Sequence, residues 1–221
     1  MYPVCLAIRD KLCVVVGGGE VARRKVLGLL AAGARVQVIS PEVGAELAAL
    51  AAQGKIDWQR QPYAPGDLRH ALLVFAATDD PAAQQQIRRQ AQENGQLVNV
   101  ADDPDACDFQ VPACLRRGDL TIAVATNGRS PAVAAMIRER FEQEFGPEYE
   151  VLLNLMAQVR RQVTAGDLPQ AERKKIYKKI LHDDIVEWLR QGQVDRLRAH
   201  LQSVLGSGLE LDINALKLDI A

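Results

Sequence analysis

Several short stretches of this 221-residue chain carry residue types at spacings that could do chemistry. Gly17-Gly18-Gly19-Glu20-Val21-Ala22 has the spacing G-x-G-x-x-A. In such a turn Gly17 permits the tight bend, Gly19 lets a pyrophosphate approach the backbone, and the small Ala22 lets helix and strand pack closely. A helix beginning near Glu20 would aim unpaired N–H groups and the positive end of its dipole at the same place, which suits a dianionic bridge. Asn99-Val100-Ala101-Asp102-Asp103-Pro104 places carboxylates just past an apolar run, where Asp102 could act as a base. Asp-Asp-Pro is equally the composition of an ordinary turn. Thr78-Asp79-Asp80-Pro81 follows another apolar run, and helix capping accounts for at least one of its acids. Thr126-Asn127-Gly128-Arg129-Ser130-Pro131 is a small-residue loop at a helix start, able to hold a carboxylate or simply to cap the helix. The basic run Arg173 to Lys179 is best read as a solvated helix face.

The elements that must position these residues follow from the apolar pattern. Leu12 to Val16 is continuously apolar and β-branched, as expected of a central parallel strand covered on both faces. A helix from Arg23 to Ala32, opening near Glu20 and closing at Gly33, leads to a second strand, Arg35 to Ile39, which ends in Ser40-Pro41. A helix over Glu42 to Ala52, strands over Ile56 to Gln59 and Leu72 to Ala77, a helix with Asp80 as cap and Pro81 as first residue, and a strand over Gln96 to Val100 continue the series. Met1 to Arg9 reads as a short edge strand. Strands alternating with helices at these spacings predict an α/β fold with a right-handed, doubly wound parallel sheet, Rossmann-like, over about the first 105 residues. Ligands on such sheets bind beyond the carboxyl ends of the strands, so residues after Val16, Ala77 and Val100 should converge.

From Cys107 the pattern changes. Phe109 to Pro112 and Asp119 to Ala125 read as extended segments. Ser130-Pro131 then starts an amphipathic helix with Val133, Met136, Ile137 and Phe141 on one face. This α+β piece is too small to close a core alone and is expected to pair with a second copy. Beyond Glu148 three apolar stripes predict helices: Val151 to Val163, Ile176 to Leu189, and Val194 to Val204. The expected domains are residues 1–112, a dimerisation region at 113–147 and a helical domain at 148–221. The tail beyond Gly206 is rich in Leu and Asp and indicates no element.

Composition excludes several classes. A formal net charge of -1 gives no support for a nucleic-acid partner. No apolar run is long enough to span a bilayer, and Met1 to Asp10 lacks the features of a signal peptide, so a cytoplasmic, membrane-free protein is expected. Cys5, Cys13, Cys107 and Cys114 are irregularly spaced, and His70, His182 and His200 are scattered, so no metal site is expected.

Taken in order, Gly17-Gly-Gly-Glu-Val-Ala-x-Arg24-Lys25, Ala77-Thr78-Asp79-Asp80, Asn99-Val-x-Asp102, Phe109-x-x-Pro112 and Thr126-Asn-Gly-Arg-Ser130-Pro131 resemble the ordered motifs of the precorrin-2 dehydrogenase/sirohydrochlorin ferrochelatase family, which includes the N-terminal half of sirohaem synthases. The resemblance spans roughly residues 1–190. It implies a homodimer that oxidises precorrin-2, a tetrapyrrole, to sirohydrochlorin with NAD as hydride acceptor; some members then insert ferrous iron. It places the catalytic base at Asp102. Cofactor contacts fall at Gly17, Gly18, Gly19, Glu20, Val21, Ala22, Ser40, Pro41, Thr78 and Asp79, and substrate contacts at Asn99, Thr126, Asn127, Gly128, Arg129 and Ser130. Two departures matter. Ser40 stands where many dinucleotide folds carry an acid for the ribose hydroxyls, and Asn127 stands where some members have serine. The competing reading is a non-catalytic dimer that senses a dinucleotide.

Overall fold

The computed structural model describes residues 1–166, 168–182 and 184–206. The chain forms two compact units, Met1–Val111 and a second beginning at Pro112. The tail beyond Gly206 lies outside the described residues.

The first unit is a five-stranded, all-parallel sheet in the order β3-β2-β1-β4-β5. Its strands are β1 (Leu12–Val16), β2 (Arg35–Ile39), β3 (Asp57–Gln59), β4 (Leu73–Ala76) and β5 (Leu97–Val100), connected by α1 (Glu20–Ala31), α2 (Ala45–Ala52) and α3 (Pro81–Glu93). The expected doubly wound sheet is therefore present, and its order reverses between β1 and β4, where such sheets open a crevice. Alternation across the pleat divides the core. Cys13 and Val15 face Val26, Leu29, Val38 and Leu47 on the α1 side, while Val14 and Val16 face Ile87, Ala91 and Val98 on the α3 side. Each fully buried valine of β1 contributes roughly 1.5–3 kcal/mol. Cys13 is a core residue whose thiol burial pushes up to about 11.

Met1 to Arg9 is not the expected edge strand. The segment forms no ladder, and among Met1 to Arg9 only Ile8 is buried. Both sides of β1 are already taken by β2 and β4, Pro3 lacks an amide donor, and the chain turns at Asp10, which adopts φ 60° as its N–H donates to Gly33 O at 2.9 Å.

The second unit opens with an antiparallel pair, β6 (Ala113–Arg117) and β7 (Leu120–Val124). Periodicity predicted β7 but not β6. The two are joined by Gly118-Asp119, with Gly118 at φ 52°, and a two-residue Gly-Asp link between apolar runs is itself a hairpin signal. Helix α4 (Pro131–Glu144) starts as expected, Ser130 Oγ accepting from the Val133 N–H at 3.2 Å with Pro131 in the first turn. Its apolar stripe splits: Ile137 and Phe141 are half-buried, whereas Val133 and Met136 are 42% and 45% exposed. Among the described residues four helices follow, α5 (Glu148–Ala165), α6 (Gln170–Ile180), α7 (Ile185–Arg190) and α8 (Val194–Leu205), around a core that includes Leu155, Val159, Ile180, Leu189 and Leu197. The stripe from Ile176 to Leu189 is thus two helices rather than one. Leu181 leaves helical geometry at ψ 73° and is 47% exposed, which ends α6.

Candidate functional site

The glycine turn joins β1 to α1, and its three glycines are there for different reasons. Gly17 adopts φ 124°, and a Cβ on it would lie 2.0 Å from Ala77 O at the end of β4. A Cβ on Gly18 would lie 2.0 Å from Glu42 O. Packing therefore dictates both. A Cβ on Gly19 meets no atom within 4 Å, so no packing against this chain requires glycine there. Gly19 is the N-cap of α1 and supplies no side-chain acceptor, leaving the first amides of α1, at Glu20, Val21 and Ala22, without a side-chain cap. Ala22 is fully buried against the sheet, as the fingerprint requires. Glu20 would repel an anion here, but Arg23 forks onto it at 2.7 and 2.8 Å and reaches Glu46 at 2.8 Å. That pairing holds the Glu20 carboxyl below its ordinary range.

Ser40, at the end of β2, is buried, and its hydroxyl donates to Glu42 O at 2.6 Å. Its carbonyl accepts from Trp58 Nε1 at 2.9 Å, and Gly44 N donates to Gly18 O at 3.0 Å. The Ser40 proton is therefore engaged locally, and the residue braces the loop that packs on Gly18. A cavity of about 280 Å³ lies at the carboxyl ends of β1, β2 and β4, with Gly17, Ser40, Pro41, Thr78, Tyr63 and Asp80 among its walls. Gly17 and Thr78, which follow β1 and β4, thus line one cavity together with Ser40 and Pro41, whereas none of the described residues after Val100 is among its walls. Asp79 is exposed and does not line the cavity, whereas its neighbour Asp80 does while capping α3 through the Ala82 N–H at 2.9 Å. Tyr63, not anticipated, donates to Gln90 Oε1 at 2.6 Å; burial pushes its phenol up to about 12, so it stays protonated.

Asp102 lies just beyond β5. The strand continues to pair through Ala101, whose N–H donates to Ala76 O at 2.8 Å, and the chain then turns at Asp102 with φ 62°. A left-handed non-glycine residue is uncommon, although Asp tolerates it better than most. The Asp102 side chain is exposed and accepts no hydrogen bond or ion pair from the described residues, unlike Asp103, which caps the following 3-10 turn through the Ala106 N–H at 3.1 Å. Asn99 is buried, and its amide donates to Phe109 O at 2.9 Å. Its donor is thus spent on the chain's own loop.

The loop from Thr126 to Ser130 belongs to the second unit. Asn127 and Gly128 both adopt positive φ, 51° and 76°, and Arg129 N donates to Thr126 O at 3.0 Å, which makes a type I′ turn. Asn-Gly is the pair this turn favours, which gives a conformational reason for Asn127. Thr126 Oγ1 accepts from the Ser130 N–H at 3.2 Å. Arg129 is exposed and its guanidinium pairs with no described residue.

Residues 4–113 match a family model described as NAD(P)-binding, and residues 117–144 match one described as the central part of a sirohaem biosynthesis protein. The siroheme synthases of Methylobacillus flagellatus and Nitrosococcus oceani are 37% and 36% identical, over 95% and 93% of this chain and 45% and 44% of their own lengths. A solved structure, SirC, precorrin-2 dehydrogenase, superposes with a TM-score of 0.76 at 27% identity, covering 92% of this chain and 98% of that one. The chain belongs to the precorrin-2 dehydrogenase/sirohydrochlorin ferrochelatase family. It spans about half the length of the curated siroheme synthases it matches. Within the family's nucleotide-binding region, the open face at Gly19, the uncapped start of α1 and the adjoining cavity are features a nicotinamide dinucleotide would fill. Among the described residues no group of three or more His, Cys, Asp or Glu side chains could hold a metal, and no helix is long and apolar enough to cross a membrane.

Proposed function

We propose that this chain oxidises precorrin-2 to sirohydrochlorin with NAD as hydride acceptor, with Asp102 as the catalytic base. The observation that carries the reading is Asp102 itself: a left-handed aspartate with an uncommitted carboxylate, one turn past the strand that borders β4. The nicotinamide, when bound, accepts the hydride. The remaining work falls to the chain. Backbone amides at the uncapped start of α1, at Glu20, Val21 and Ala22, would hold the pyrophosphate, and the Gly17 turn and Thr78 border the crevice. Asp102 takes the proton released as the macrocycle is oxidised, which requires it within hydrogen-bond reach of that proton. Arg129 and the amides of the Thr126–Ser130 turn bind substrate carboxylates, orienting the macrocycle without entering the chemistry. Asn99 acts from beneath, through the loop it braces, rather than by touching substrate. Preference for NAD over NADP rests on the resemblance, since Ser40 supplies no acid for the ribose.

The functional unit is a homodimer in the cytoplasm. The exposed Val133 and Met136 on α4 support this, being apolar positions a second copy would cover. Ferrous iron insertion is a second activity of the same site, Asp102 deprotonating the pyrroles while the macrocycle supplies the ligands. The deciding experiment follows NADH formation from anaerobically prepared precorrin-2 for wild type and Asp102→Asn, with NADP in a parallel series. Asp102→Asn keeps the fold, because Asn tolerates φ 62°, and loses turnover. Equal rates would remove Asp102 from the mechanism, and no NADH from the wild type would leave the sensor reading. Metallation of sirohydrochlorin by ferrous ion above the spontaneous rate tests the second activity on the same sample.

A further inference from the structure

The β5 loop has a second notable residue, one that spacing gave no reason to single out. Cys107 returns the chain to the end of β5 after the 3-10 turn Pro104–Ala106, and its sulfur sits at the centre of the loop's hydrogen bonds. Val100 N donates to Sγ at 3.2 Å and Asn99 Nδ2 at 3.4 Å; the thiol faces Val100 O at 3.3 Å and Asp103 O at 3.2 Å. One S–H supplies one proton, so it donates to only one of these carbonyls at a time and accepts from the amides on its other side. The same Asn99 amide reaches on to Phe109 O at 2.9 Å, whose ring stacks edge-on against Phe75 of β4 at 5.3 Å. Asp108 closes the loop, its N–H donating to Val98 O at 2.9 Å and its carboxylate accepting from the Val98 N–H at 3.0 Å.

We infer that Cys107, with Asn99, is a positioning residue for Asp102: the sulfur latches residues 99 to 107 into the loop shape that holds Asp102 left-handed. This rests on Asp102 being the base. The Asp102 carboxylate forms no hydrogen bond or ion pair with the described residues, so its placement is set by the backbone on which it rides. A left-handed aspartate persists only where its surroundings over-determine it. The bonds that do that are the Ala101 N–H to Ala76 O just before Asp102, those of Cys107 to Val100 and Asp103, one on each side of Asp102 in the chain, and the Asp103 cap on Ala106. Cys107 is no nucleophile here: burial holds its thiol above the ordinary range, so the proton the latch uses is retained.

The test compares Cys107→Ala, Cys107→Ser and Asp102→Asn with wild type in precorrin-2-dependent NADH formation, with NADH binding followed by its fluorescence. Cys107→Ala should lower kcat by about 10- to 100-fold, the cost of misplacing a reacting group by an ångström, while KM for NAD stays within about twofold. Cys107→Ser offers the same single proton and acceptor and should restore kcat to within about threefold of wild type. A Cys107→Ala enzyme that keeps wild-type kcat would overturn the latch, as would a Cys107→Ser no better than Cys107→Ala when both bind NADH normally. If Cys107→Ala fails to fold, seen as lost NADH binding, Cys107→Ser decides alone, near-wild-type turnover supporting the latch and its loss refuting it. An active Asp102→Asn enzyme would instead sink the base assignment, whatever the cysteine variants do.

Discussion

Replacing the three glycines of the turn one at a time by alanine should separate what folding needs from what a dinucleotide needs. Gly17→Ala forces a Cβ to 2.0 Å from Ala77 O at φ 124°. The backbone conformation costs about 1–3 kcal/mol and the overlap with a main-chain carbonyl about 1–3 kcal/mol more. The sum, about 2–6 kcal/mol, is a large part of a domain's total stability. Gly18→Ala meets Glu42 O at the same 2.0 Å without the positive φ, so the overlap remains but the conformational cost does not. Gly19→Ala meets nothing, and φ −84°, ψ −168° is open to alanine. Losing glycine at an N-cap costs a few tenths of a kcal/mol or more, and the stiffer unfolded chain returns about 0.4–1 kcal/mol. Stability should therefore move by less than about 1 kcal/mol. A methyl on the open side of Gly19 nevertheless stands where a pyrophosphate would lie, and one overpacked contact of ~2 kcal/mol raises Kd about 30-fold. Urea denaturation and NADH fluorescence titration on the three variants make the comparison. A Gly19→Ala protein that binds NADH as tightly as wild type would refute the placement of the pyrophosphate; one that unfolds would refute the packing argument.

Asp102→Gly removes the left-handed penalty and the base together, so it should raise stability by about 0.5–1 kcal/mol in urea denaturation while abolishing turnover; a destabilised variant would show that the Asp102 side chain braces the loop. Lys25, half-buried on α1 with its ammonium 5.6 Å from the centroid of the Phe75 ring, is held below the ordinary lysine range by burial first and by Arg24 second. The unfolded chain then binds this proton more tightly than the folded one, so Lys25 opposes folding below its folded pKa, and that opposition fades as pH rises towards about 10.4. Lys25→Met should thus be more stable than wild type at pH 7, with a margin that narrows at pH 10; a margin that widens with pH would contradict the sign. In the second unit Glu148 is buried and pairs with Arg190 at 2.7 Å. Arg190→Ala leaves that carboxylate buried and unpaired and should cost about 2–3 kcal/mol, discounted from a fully buried pair because Arg190 is half exposed. Glu148→Gln should cost less, and the reverse ranking in thermal denaturation would place the charge in water.

The parallel sheet was legible because its central strands β1 and β4 are covered on both faces: Leu12 to Val16 and Leu72 to Ala77 are unbroken apolar runs, and Asp80-Pro81 and Ser130-Pro131 carry their helix starts in local side-chain chemistry. Met1 to Arg9 misled because strand pairing is decided by which edges of β1 remain free, and local pattern does not contain that. β6 was missed because Cys-Leu-Arg-Arg has no clean alternation, although Gly118-Asp119 marked the hairpin. In the site, the glycine spacing located the turn but could not say which glycines serve packing; that depends on Ala77 O and Glu42 O, remote in sequence. Asn99 carried the right polarity for a ligand contact, and only the position of Phe109 O revealed where its donor goes. Cys107 was invisible as anything but a small half-buried residue, because its three partner residues, Asn99, Val100 and Asp103, come together around the sulfur only after the loop has closed.

Gly17 leans on the carbonyl of Ala77, and Val16 pairs with Ala76, so the glycine turn has no fixed shape until β4, which follows it in the chain, has docked. Parallel pairing across a crossover is slow, since chain entropy is lost before the contacts form. Gly17 to Ala22 therefore precedes β4 in synthesis but acquires a shape only with the rest of the sheet. A dinucleotide can recognise only chains that have completed that crossover. In the cell, bound cofactor would then mark which molecules have finished folding and withdraw them, by mass action, from the pool exposed to proteolysis.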